Sequence, residues 1–79
     1  MNAKKIRDIQ RRVPFQPFII HCNNNQTFRV KHPENIFVLP FTVYFYEPDA
    51  TEEYSISIRN ITSIEVSVPV DTSGEELEG

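Results

Sequence analysis

A chain of 79 residues is expected to form one domain at most and to enclose only a modest core. With one cysteine, Cys22, it excludes an internal disulfide, and its longest apolar stretches, 18–20 and 36–41, are far too short to cross a bilayer. The net charge of −3 hides a division: seven bases and one acid precede His32, a balance of +6, whereas one base and ten acids follow it, a balance of −9.

In chain order, the spacing of Ala3, Ile6, Ile9 and Val13 predicts a helix over 3–13 with one apolar stripe. Asn2 is its expected N-cap, and Pro14 ends it by lacking an N–H and by driving Val13 out of the helical region. Lys4, Lys5, Arg7, Arg11 and Arg12 fall on the flanks of that stripe, so the helix should rest on something apolar and show positive charge to solvent. Pro14 and Pro17 then set an extended corner around Phe15.

Two strands are expected at 18–22 and 26–31, joined through Asn23-Asn24-Asn25. A two-residue loop would set Phe18 and Ile20 beside Arg29 and Lys31. A three-residue loop pairs Ile20 with Phe28 and puts Phe18, Ile20, Cys22, Phe28 and Val30 on one face. The second register is the consistent one, with Asn25 in the left-handed region. It leaves Ile19, His21, Thr27, Arg29 and Lys31 on a basic outer face.

His32-Pro33-Glu34-Asn35 reads as a corner, followed by strands at 36–39 and 42–46. In the latter Val43 and Phe45 oppose Thr42, Tyr44 and Tyr46. An acidic loop leads to an alternating strand over 53–59, and Ile61, Ile64, Val66 and Val68 give a last short strand. Residues 1–68 are therefore read as a helix-plus-barrel domain and 69–79 as an acidic, disordered tail. The fold class is mainly β (α+β): an N-terminal helix followed by a five-stranded, strongly curled antiparallel sheet or small barrel of Sm-like or SH3-like type.

Two resemblances bear on this. The run Pro14-Phe15-Gln16-Pro17-Phe18-Ile19-Ile20, the Asn24-Asn25 turn and Val30-Lys31-His32-Pro33-Glu34 resemble a group of small uncharacterised bacterial proteins with a PFxPFxI start and a VxHPE corner. That group carries Asp-Gly where this chain has Asn24-Asn25. The helix leading into a bent sheet, with Ile58-Arg59-Asn60-Ile61-Thr62-Ser63-Ile64 near its end, is similar to the Sm-like (Hfq-like) family, which implies the fold. The Arg-Gly step and the Asp and Asn uridine contacts of that family have no counterpart here, so its RNA site is not implied.

For chemistry, His21 and Cys22 are neighbours on a strand and point to opposite faces, which excludes a thiol–imidazole pair. His32 with Glu34 suits a hydrogen-bonded corner more than an acid–base pair. No zinc-type spacing, phosphate loop or nucleophile triad can be assembled, and no catalytic residue, cofactor or metal site is expected.

Lys4, Lys5, Arg7, Arg11, Arg12, His21, Arg29 and Lys31 form the candidate surface for nucleic acid or an acidic partner, and Tyr44 and Tyr46 a candidate protein interface. The expected function is a non-enzymatic interaction or assembly module that self-associates. The alternative is an RNA or single-stranded nucleic-acid binder using the basic helix and hairpin. A homo-oligomer, a cytoplasmic location and no membrane contact complete the expectation.

Overall fold

The computed structural model describes residues 1–47, 49 and 51–67. Helix α1 covers Ala3–Gln10 and the strands are β1 Phe18–Cys22, β2 Thr27–Val30, β3 Ile36–Val38, β4 Thr42–Glu47, β5 Glu52–Ser57 and β6 Ile61–Val66. They form two antiparallel three-stranded sheets, ordered β2-β1-β6 and β3-β4-β5. The fold is α+β, as expected, but it has six strands rather than five and, among the described residues, no closed or strongly curled sheet.

The reason lies in the connections. Pro33 lacks the N–H that would carry the β2 ladder onward, and 33–35 fold into a 3-10 turn instead. A second 3-10 turn, Ile58–Asn60, separates β5 from β6, so the chain changes sheets there. The two sheets are joined by side chains. Phe28 of β2 lies 5.6 Å from Phe45 and 5.2 Å from Tyr54, ring centre to ring centre, which bridges one sheet to the other.

The hairpin β1–β2 adopts the three-residue register: Phe18 pairs with Val30 and Ile20 with Phe28. Cys22 N–H donates to the Gln26 carbonyl at 2.9 Å, closing the turn. Asn25 sits at φ 69° and the Asn24 side chain accepts from Gln26 N–H at 3.0 Å. All five inward side chains of the hairpin are buried, and they meet Ile36, Val43, Phe45 and Ile56 of the other sheet.

Helix α1 begins where Asn2 Oδ1 accepts from Lys5 N–H at 2.9 Å, and Ile6 is fully enclosed. It ends at Gln10, three residues short of the expected limit. Val13 is 96% exposed and takes no part in the buried stripe. Pro14 disfavours helical backbone at Val13, and the helix is already capped at Arg11, so the helical spacing no longer places Val13. Gln10 ties the helix to the second sheet: its side-chain amide donates to the carbonyls of Pro33 at 2.8 Å and Ile36 at 3.1 Å.

The last strand was expected to reach Val68; it is described to Val66, and the acidic tail at 69–79 lies outside the described residues. Strand β6 pairs with β1, and a register shift between His21 and Cys22 is bridged by Thr62 Oγ1 donating to the His21 carbonyl at 3.1 Å.

Because a left-handed backbone costs a side chain with a Cβ about 1–2 kcal/mol, and asparagine less, Asn25→Ala should lower unfolding free energy by about 1 kcal/mol. Asn25→Gly should leave it unchanged or slightly raised. Urea titration of both variants checks this, and equal loss in the two would contradict the turn geometry.

Candidate functional site

The structure divides the eight basic candidates among three environments. Lys4 and Asp8 form an exposed i,i+4 ion pair at 3.0 Å on the helix surface, a contact worth little in water. Lys5 is exposed on the same helix. Arg7, Arg11 and Arg12 border a groove of about 600 Å³ together with Val13, Phe15, Pro33, Phe37 and Val38. No carboxylate lines this groove, so its lining combines three arginines with apolar side chains.

The remaining three lie on the outer face of β2-β1-β6, away from that groove. Arg29 and Lys31 edge a smaller hollow with Pro17, Ile19 and Ser67. His21 Nε2 meets Glu65 Oε1 at 3.0 Å. The register places Ile19 between Arg29 of β2 and Glu65 of β6. The outer face of the hairpin is therefore not uniformly basic: pairing with β6 brings an acid alongside, a neighbour that local alternation could not name.

His21 and Cys22 do point apart. The imidazole meets Glu65 on the outer face and the thiol is buried in the core. Burial pushes the Cys22 thiol above its usual range. His32 and Glu34 are both exposed at the 3-10 turn, where His32 makes no capping side-chain bond. Among the described residues, no three His, Cys, Asp or Glu side chains gather as a metal site would require. Nor, among them, is any helix long and apolar enough to cross a membrane.

A second surface is aromatic. On the outer face of β3-β4-β5, Phe37 pairs across the strands with Tyr44, which pairs with Ser55, and Tyr46 pairs with Glu53. Phe37 is 65% exposed, Tyr44 49% and Tyr46 44%, and Phe41, just before β4, is 83% exposed. Tyr44 and Tyr46 thus face solvent, and α1, tied by Gln10 to the Ile36 carbonyl at the start of β3, does not cover them.

The two ends of this face differ in charge. Arg59 borders a hollow with Phe41, Thr42 and Ser57 at one end. At the other, Glu47 lies opposite Glu52, with Glu53 beside Tyr46. Alternation along the strand singles out Tyr44 and Tyr46, whereas Phe37 and Phe41 emerge only from the fold. The signal for Phe37 is its parity, opposite to that of Ile36 and Val38.

No protein-family model matches the chain, and no curated protein or solved structure matches it either.

Two chemical consequences can be measured. At pH 8 the Cys22 thiol should react with an aromatic disulfide reagent at least about tenfold more slowly in the folded chain than in urea, because it is both covered and less ionised. Tyr54 Oη donates to Glu52 Oε1 at 2.7 Å. That bond, then partial burial, then the charges of Glu52 and Glu47, raises the phenol above its ordinary value. A raised folded pKa stabilises the fold fully below about pH 10, the unfolded value, and the contribution is lost as pH rises through the folded pKa. Melting curves of wild type and Tyr54→Phe should therefore differ more at pH 8 than at pH 11.

Proposed function

We propose that this chain is a non-enzymatic interaction module that pairs with a second copy of itself through the outer face of β3-β4-β5. The observation that carries the reading is the row Phe37, Tyr44 and Tyr46, exposed together on one sheet face with Phe41 at its margin. Isolated exposed apolar side chains are ordinary, but several on one face mark a surface suited to a partner.

The charge layout favours a second copy as that partner. Arg59 lies at one end of the strands and Glu47, Glu52 and Glu53 at the other, about 17 Å apart for six residues of extended chain. A two-fold axis through the middle of the face turns one copy end for end, so the basic end of each meets the acidic end of the other. The aromatic row lies against its own image between them.

The Sm-like and SH3-like kinship belongs with this reading in its order of elements, a helix first and a last strand returning to pair with β1, and not in sheet closure. Binding of RNA or single-stranded nucleic acid by the whole basic set has less behind it. Lys4 is turned to Asp8, His21 to Glu65, and Arg29 and Lys31 sit on a different surface from Arg7, Arg11 and Arg12.

Light scattering at low salt should give about twice the 9.2 kDa of one chain. Tyr44→Lys should weaken association at least about tenfold, the scale of a central aromatic anchor. Arg59→Glu should weaken it as well, and adding Glu53→Arg should restore it. A monomer at the highest soluble concentration, or association indifferent to Tyr44→Lys, would overturn the proposal.

A further inference from the structure

The groove between α1 and β3 shares Phe37 with the proposed pairing face, is otherwise lined by other residues, and carries an inference of its own. It is lined by Arg7, Arg11 and Arg12 together with Val13, Phe15, Phe37 and Val38, and none of its lining residues is acidic. Gln10, which also lines it, donates to the Pro33 and Ile36 carbonyls and so ties the helix end to the turn. Val13 and Phe37 are large apolar side chains left exposed beside three cations. Such a site suits a segment bearing carboxylates around an apolar residue.

The polypeptide supplies one. Glu75-Glu76-Leu77-Glu78 sets three carboxylates about a leucine, matching three arginines among apolar side chains. Ser67 lines the separate hollow of Arg29 and Lys31, but its N–H donates to the Pro17 carbonyl at 2.9 Å, and Pro17 is two residues from Phe15 in the groove wall. The seven residues from Val68 to Gly74 span up to about 23 Å when extended, ample to bring Glu75 to the groove.

We propose that the groove of α1 and β3 is a docking site for an acidic segment with an apolar anchor, and that its occupant is residues 75–78 of the same chain. Each ion pair there is weak, but tethering raises the local concentration of the segment to about the millimolar range, so weak contacts suffice. Occupancy then depends on salt, since the partners are exposed.

The test uses the full chain, with backbone amide NMR spectra of wild type and of Glu75→Gln/Glu76→Gln/Glu78→Gln. The amides of Arg11, Val13 and Phe15 should shift on substitution, while those of Thr27 and Ser55 stay in place. Raising salt to about 0.5 M should move the wild-type groove amides toward their positions in the variant. Arg11→Gln/Arg12→Gln should move the amides of residues 75–78, which reads the contact from its other side.

Groove amides that are identical in wild type and the triple variant would overturn the proposal. So would shifts that depend on protein concentration, which would assign the contact to another copy. Equal binding of a single-stranded oligothymidine by both proteins, with Phe15 and Val13 shifting, would also overturn it and make the groove a nucleic-acid site. Tyr44→Lys should leave all these groove shifts intact, so failure here and failure of self-pairing are read separately.

Discussion

A turn of two residues instead of three between β1 and β2 would invert the hairpin. With side chains alternating across a sheet, a one-residue slip sends Arg29 toward the core and Phe28 to solvent. The Asn23–Asn25 loop prevents this through the Cys22–Gln26 closure and the left-handed Asn25. Both faces of the hairpin follow from it, and so does the site of β6, whose Ile61 is buried with Cys22 while Glu65 meets His21 outside. Phe28 is then aimed at Phe45 and Tyr54, the contact that joins the sheets.

Helix α1 depends on a different device. Its apolar content is small, Ala3 and Ile6 with partial help from Ile9, so burial alone would hold it weakly. Gln10 adds two hydrogen bonds to carbonyls of the β3 approach, and directional bonds define an angle that apolar contact leaves loose. The same attachment separates the molecule's surfaces. It sets three arginines beside Phe37 at one margin of the second sheet and leaves Tyr44 and Tyr46 uncovered at its centre.

Where side-chain alternation was local, the sequence could be read well. The bounds of β1, the hairpin register, the five inward residues and the opposite directions of His21 and Cys22 all rest on period-two reasoning and on one turn. The helix N-cap was equally legible, since Asn2 needs only its neighbours. The helix end was not: Val13 fits the 3.6-residue stripe by spacing, and only the backbone demand of Pro14 removes it. The division into two sheets was also hidden, because 58–60 continues the alternating pattern while its backbone turns in a 3-10 step. Of the candidate surfaces, charge was visible as a count but not as a map. That Lys4 is matched by Asp8 follows from helical spacing; that His21 is matched by Glu65 needs the long return of β6.

Glu47 and Glu52, directly opposite at the tip of β4 and β5, repel one another across the ladder. Like charges there weaken the pairing at the hairpin's own extremity, even as Glu52 accepts from Tyr54 Oη. A cation arriving there from any partner lifts that repulsion and firms the strands as it binds. Order at this extremity and occupancy of it are therefore linked quantities, and the thermal resistance of the fold becomes a reporter of who is bound.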